Sequence, residues 1–409
     1  MIAPLMFAAA TQFTTSTYPQ GFVNLTPQVA QESALSHSPE VQGASARVHE
    51  MQAALAVARG IIGPSAYANY TQAPQAGAAG ETITQRFSTI GLQTTSGDLL
   101  AYSPGVRLAQ FNLQSAQADL LAAQAAERMK AIAFFYDALR GWANLKAREN
   151  ALAVAQADER AASLRYFAGD APRLDVLRAD VAVDQARADL ATAQAGQANA
   201  YEALSVETTI VPGQIAFADV VTIQPGIAPR DAVGRALLMR PEVASARAAV
   251  DAQISALRAA QRGIFPTVSV QGGYTRGTDT GQRVAGPSAN IQMSLPLSNS
   301  GAARVNIERA KLEQAQAHLE SVNRKVSIEV AAATRTYDAD HVAALAARQA
   351  RLQAEATLKA TQTGYRSGAS SSLDVTAARQ TYEQSLLAEL NAYYAELQAR
   401  ATLRLLMGS

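Results

Sequence analysis

Residues 166–176 read YFAGDAPRLDV, and residues 365–375 read YRSGASSSLDV. Each stretch opens on tyrosine, places glycine three residues later and closes on Leu-Asp-Val. Gly169 and Gly368 suit the left-handed backbone that ends a helix. Asp170 with Pro172, and the serines 370–372, suit the start of the next one. Upstream and downstream of both stretches the sequence is rich in alanine, glutamine and leucine at helical spacing. Each stretch therefore predicts the tip of a long helical hairpin.

Working outward, the two tips belong to a longer duplication. Pro39-Glu40-Val41 matches Pro241-Glu242-Val243, Pro64 matches Pro266, and Tyr136-Asp137-Ala138 matches Tyr337-Asp338-Ala339. The order is conserved between copies and the offset stays between 199 and 202 residues. A fixed period of this kind is the mark of a structural repeat. The chain divides into an N-terminal segment 1–24, a first repeat 25–205, an equatorial connector 206–232 and a second repeat 233–409. Each repeat reads as helix, two strands, long helix, tip, helix. The first helix is expected over about 27–59, and the long helix of the first repeat from Pro104 to about 165. Met129, Ile132, Tyr136 and Leu139 step by three and four, as a coiled-coil seam does, and Leu319, Val322 and Val326 do the same in the second repeat. At about 1.5 Å per residue, some 60 helical residues make a rod of about 90 Å, too long for a globular domain.

Composition narrows the function classes. The 35 basic and 34 acidic residues nearly cancel, so a nucleic-acid partner has no electrostatic support. Absence of cysteine excludes disulfides, thiolate metal sites and a lipidated N-terminal cysteine. The opening MIAPLMFAAATQ ends its apolar run at Ala8-Ala9-Ala10, the pattern of a secretory-signal remnant. No run reaches the roughly 20 apolar residues of a membrane helix, so a membrane crossing would require strands.

Strands are expected at about 61–73 and 85–95, and at about 264–276 and 287–297. In FPTVSVQGGYT, Val268, Val270 and Tyr274 take one face while Thr267, Ser269 and Gln271 take the other. In SANIQMSLPL, Ile291, Met293, Leu295 and Leu297 alternate with Asn290, Gln292 and Ser294. The polar run 276–287 reads as the loop between them, and 73–82 as its counterpart. Alternation over about ten residues is what a barrel wall shows, with its apolar face toward lipid. A soluble sheet packed on a helix shows the same pattern, but here the apolar faces have no other evident partner. Four strands cannot close a barrel, and open edges are not tolerated in hydrocarbon. Three chains would supply twelve strands.

The paired Pro-Glu-Val openings, the two strand pairs and the two Gly-to-Leu-Asp-Val tips resemble the TolC-like family of outer-membrane efflux ducts, over residues 25 to 408. The resemblance implies a mainly α fold with a small β part: antiparallel coiled-coil hairpins forming an α-barrel, and four strands per chain in a homotrimeric, twelve-stranded transmembrane β-barrel. It implies an outer-membrane protein of a Gram-negative bacterium reaching into the periplasm. Such a duct is a passive exit for drugs or metal ions in tripartite efflux, or a part of type I secretion. Its partners are a periplasmic adaptor, an inner-membrane pump of RND or ABC type, and outer-membrane lipid. By motif, Tyr365 resembles the entrance tyrosine, Asp374 a carboxylate of the constricting ring, and Asp175 the carboxylate that helps hold the entrance shut. Ser370 and Ala377 stand where some relatives carry an arginine and a second aspartate, and Arg366 lies near enough to substitute. Gly169, Asp170, Gly368 and Ala369 are the adaptor-contact positions. The plainer readings stay open: helix capping for both aspartates, and packing for Tyr166 and Tyr365.

Nothing in the sequence points to catalysis or to a cofactor. His37, His49, His318 and His341 lie on separate segments without metal-ligand spacing. GGYTRGTDTG sits in a hairpin rather than between strand and helix, so it is no phosphate cradle. A soluble periplasmic coiled-coil scaffold or adaptor is the competing function, and the strands discriminate: a scaffold has no use for an outward apolar face.

Overall fold

The computed structural model describes residues 23–60, 64–76, 82–217, 231–279, 282–294 and 300–408. In chain order these form β1 (Val23–Leu25), α1 (Pro27–His37), α2 (Pro39–Gly60), β2 (Ser65–Ala76), β3 (Thr82–Thr95), α3 (Ser96–Phe167) and α4 (Arg173–Thr208). A 3-10 turn, Pro212–Gln214, leads into β4 (Ile215–Phe217), α5 (Ala232–Met239), α6 (Pro241–Arg262), β5 (Thr267–Asp279), β6 (Gln282–Ser294), α7 (Ser300–Arg366) and α8 (Ser372–Leu406). The order strand, two helices, two strands, two helices thus occurs twice. The N-terminal apolar run, most of the connector, Leu295 and Leu297 lie outside the described residues.

Several boundaries differ from the sequence expectation, each for a physical reason. The first helix is two helices, because Ser38 acts as an N-cap: the Val41 N–H donates to its Oγ at 3.4 Å, with Pro39 in the first helical position. Helix α3 begins at Ser96, and Pro104 lies inside it. A proline there forfeits one backbone bond, a small loss in a helix of 72 residues. The strands run past the expected loops, with Arg276 paired to Ala285 and Thr278 to Arg283. Polar, glycine-containing runs predict loops, but a backbone ladder needs no apolar side chains.

The chain forms two compact units, and each draws on both halves of the sequence. One comprises Ser38–Met129, Ile227–Val342 and Ala399–Ser409. It contains the antiparallel sheet, in the order β2-β3-β5-β6. Its helical core gathers Ala232 and Ala236 of α5, Val243 of α6, Val326, Val330 and Tyr337 of α7, and Leu403, Leu406 and Met407 at the end of the chain. Beside that core the buried Arg240 guanidinium donates to Glu329 at 2.7 Å and to Glu242 at 2.9 Å. Burial alone would lower its pKa; the two carboxylates more than offset this and hold it raised.

The other unit comprises Met1–His37, Lys130–Gly226 and Ala343–Gln398. Here β1 pairs in parallel with β4, Leu25 opposite Phe217. The Phe217 ring meets Phe135 at 5.6 Å, Tyr201 at 5.8 Å and Trp142 at 6.3 Å between centroids. Ile132, Tyr136 and Leu139 are buried, as their seam spacing requires. Thr209, in the left-handed region at φ 58°, ends α4, and the Ser33 hydroxyl donates to the Thr208 carbonyl at 2.6 Å.

Candidate functional site

The two helical tips have the same construction. Gly169 and Gly368 stand at φ 82° and 78°. At the first tip the Asp170 N–H donates to the Arg165 carbonyl at 2.9 Å and the Gly169 N–H to Tyr166 at 3.0 Å. At the second, Ala369 donates to Gly364 at 2.7 Å and Gly368 to Tyr365 at 3.2 Å. These are paired Schellman bonds, which satisfy the last carbonyls of α3 and α7 and require the left-handed residue. A Cβ at either glycine would meet nothing within 4 Å, so backbone conformation selects glycine here.

The restart signals differ. Helix α8 opens with a capping box: Ser371 donates from both N–H and Oγ to Asp374 Oδ2 at 2.8 Å, and the Asp374 N–H returns a bond to Ser371 Oγ at 3.2 Å. These bonds hold the exposed Asp374 carboxyl below its usual pKa. Asp175 instead accepts from the Ser372 hydroxyl at 2.8 Å, which ties the first tip to the second, and lies 3.7 Å from Arg178. The Tyr365 hydroxyl accepts from Arg165 at 2.9 Å, with the guanidinium 5.2 Å from the ring centroid. Arg366 is exposed and makes no ion pair among the described residues; it lines the same groove as Asp175, Arg165 and Tyr365.

That groove, of about 570 Å³, lies between α3, α4, α8 and the end of α7. Arg148 pairs with Asp189 at 2.7 Å, and Arg379 with Asp158. Glu383, among them, has a raised pKa because burial outweighs the nearby Arg379 and Arg148, while Asp189 adds to the rise. Arg379 is lowered by burial, against the opposing pull of Glu383. Sequence reading placed the serines 370–372 at the helix start but missed the bond from Ser372 to Asp175, Arg165 and this charged ladder. A signal existed: Arg148, Ala151, Ala155, Asp158, Ala162 and Arg165 step by three and four along α3. A search for apolar periodicity passes over such a seam.

In the other unit, the sheet separates two chemistries by register. Side chains paired across strands share a face. One face carries the rows Tyr70–Ser88–Arg276–Ala285, Ala68–Ile90–Tyr274–Pro287, Ala66–Leu92–Gly272–Ala289, Thr94–Val270–Ile291 and Val268–Met293. Its large apolar members are open to solvent, Ile90 at 70% and Ile291 at 73%. The opposite face carries Asn69, Thr89, Gln93, Gln271, Thr275, Ser288 and Asn290, with Tyr67, Phe87 and Val284 among them. There Thr89 meets Thr275 at 2.8 Å, Thr275 meets Ser288 at 3.0 Å, and Gln271 meets Gln93 at 3.3 Å. Gly91 and Gly273 face each other on this polar side. An added Cβ would fall 2.3 Å from the Gly272 carbonyl oxygen and 2.6 Å from that of Ile90, respectively. Neighbouring backbone comes so close on this side that only glycine fits, as at the tight bends of a barrel wall. Among the described residues no helix is long and apolar enough to cross a membrane.

One chain thus carries a four-stranded sheet with an exposed apolar face and a more polar opposite face, together with two helical hairpins, the arrangement expected of a barrel-forming channel protein. Residues 232–409 match the model of the family described as outer membrane efflux protein. Nodulation protein T of Rhizobium leguminosarum bv. trifolii is 24% identical over 368 residues, 83% of this chain and 76% of that protein. Among solved structures, CusC, described in connection with transmembrane channel formation, superposes with a TM-score of 0.79 at 18% identity, covering 100% of this chain and 97% of the other. The outer membrane protein VceC of Vibrio cholerae does so at 0.75 and 20% identity, covering 94% and 96%. The family match thus covers residues 232–409, and the chain as a whole shares the fold of these solved outer-membrane channels. The scaffold alternative is not favoured.

Proposed function

We propose that three copies of this chain close a twelve-stranded barrel through which drugs or metal ions leave the cell. The carrying observation is the four-stranded sheet, whose outer strands β2 and β6 are 12 and 13 residues long and have no partner on their outer edges among the described residues. Unpaired backbone groups cannot stay open in hydrocarbon, and copies of the same sheet are the simplest closure. From the Tyr70–Arg276 row to the Val268–Met293 row the sheet spans nine residues of β5, eight steps or about 27 Å along the strand at ~3.4 Å per residue. At a tilt of about 35–45° that length rises about 19–22 Å, most of an apolar band of about 25 Å. The exposed apolar face then meets lipid and the polar face lines the pore. The two-copy element order supports reading residues 25–205 and 233–409 as repeats of one plan.

The tips form the periplasmic entrance in this reading. Tyr365, Asp175 and Arg366 line the groove at the tips, Asp374 supplies one carboxylate per chain to a ring, and Gly169, Asp170, Gly368 and Ala369 present the surface that a periplasmic adaptor grips. An inner-membrane pump of RND or ABC type supplies the energy. Purified protein in planar bilayers should give cation-preferring channels and run as a trimer after cross-linking, and loss of the gene should sensitise cells to dyes or metals. A cross-linked monomer that leaves the bilayer silent would reject the proposal.

A further inference from the structure

On the apolar face of the sheet, charge is confined to one end. Arg86 of β3 pairs through Thr278 of β5 to Arg283 of β6, so the three residues form one row; Arg276 lies in the next row, with Ser88 between it and Tyr70. All three arginines are exposed and make no ion pair among the described residues. These two rows contain no acidic residue. They lie at the end where β2 joins β3 and β5 joins β6, away from the helices. Immediately inward come Ile90 and Tyr274, then Leu92, then Val270 with Ile291. Tyr70 within the second arginine row and Tyr274 in the row just inward of it, 60% and 56% exposed, stand as aromatic residues do at a membrane interface.

We propose that Arg86, Arg276 and Arg283 form a binding site for the phosphates of a phosphorylated glycolipid in the outer leaflet. The inference rests on the reading that the apolar face meets lipid. Arginine is tolerated on a lipid-facing surface at the interface, where its head reaches polar groups, and disfavoured toward the bilayer centre. A guanidinium is permanently charged and presents a planar fork suited to phosphate oxygens. Arg86 and Arg283 occupy one row two strands apart, at about 9–10 Å for neighbouring strands 4.7–4.9 Å apart. Arg276 is on the strand between them, so a headgroup bearing two phosphates can be gripped from more than one side. A lipid is favoured over free phosphate because the row continues directly into the apolar band, where acyl chains pack against Ile90 and Leu92.

The test uses the full chain reconstituted in phosphatidylcholine nanodiscs containing a small fraction of lipid A, either with both phosphates or with both removed. Native mass spectrometry then counts retained lipid. The wild type should retain the phosphorylated form preferentially. Each of R86Q, R276Q and R283Q should weaken retention roughly fivefold, and the triple variant about 100-fold, at about one charge's worth of surface attraction per arginine. R304Q with R309Q, exposed positions on α7, should leave retention unchanged. Equal retention of the two lipid forms by a properly inserted protein overturns the site while leaving the lipid-facing reading intact. Failure of the wild type to insert overturns both. Displacement of the lipid by inorganic phosphate at matched concentration, or an equal loss in the α7 control, also overturns the proposal.

Discussion

Asp374 and Glu383 lie less than three turns apart on α8 and respond to pH with opposite sign. The Ser371 bonds lower the Asp374 pKa, so its contribution to stability is complete above the unfolded value of about 3.9 and is lost as pH falls through the lower, folded value. Burial raises Glu383, so the folded protein holds that proton longer; its contribution is present below about 4.3 and is lost as pH rises through the folded value. On acidification from neutral pH, amide exchange in the middle of α8 should therefore slow first, and its opening turn should loosen only at lower pH. E383Q should abolish the first change, and D374A should loosen the turn at every pH, with exchange several-fold faster. Asp374→Asn separates capping from charge, because the amide oxygen still accepts from Ser371. In planar bilayers D374N should lose cation preference with the fold intact; unchanged selectivity would remove Asp374 from the pore ring. The sequence shows an aspartate at a helix start, and only the backbone shows which role it plays there: third helical residue of a capping box, with Ser371 as the cap. Asp175, at the matched position, bonds across to Ser372 instead.

The tips were the most legible elements, because a left-handed residue and a Schellman pair involve only six consecutive residues. Alanine at Gly169 or Gly368 should cost about 1–2 kcal/mol from φ strain alone, since a Cβ there meets no atom within 4 Å. Asparagine, which tolerates the left-handed region, should cost less; chemical denaturation distinguishes the two. Bulky residues at both positions should weaken adaptor pull-down while leaving cross-linked trimers unaffected, and undiminished pull-down would place docking elsewhere. Strand ends were less legible. Residues 276–287 are glycine-rich and polar, yet ladder bonds from Arg276–Ala285 to Asp279–Gln282 extend the hairpin beyond the apolar band. The charged seam of α3, α4 and α8 was hidden for the opposite reason. Its alanines let the helices approach, and its ion pairs (Arg148–Asp189, Asp158–Arg379) fill positions where apolar residues are sought.

At the scale of the molecule, the decisive feature is that neighbouring residues on one strand serve different solvents. Asn290 and Ile291 of β6 are adjacent, so they take opposite faces, Asn290 in register with Gln271 and Ile291 with Val270. If the chain were a soluble scaffold, arginine at the 73%-exposed Ile291 would be harmless or would improve solubility. In a membrane barrel the same change places a guanidinium among acyl chains, at about 2–4 kcal/mol near the midplane, repeated in every protomer of the ring. Arginine at Asn290 instead enters the aqueous lumen, where it costs little and adds positive charge to the conduction path. Expression of I291R should therefore give material that fails to assemble in the outer membrane. N290R should insert, trimerise and conduct with reduced cation preference. The pair controls for expression, since strand, residue introduced and distance along the chain are nearly identical. Equal behaviour of the two variants would mean that the faces do not meet different media, and a closed barrel built from this sheet would have to be abandoned.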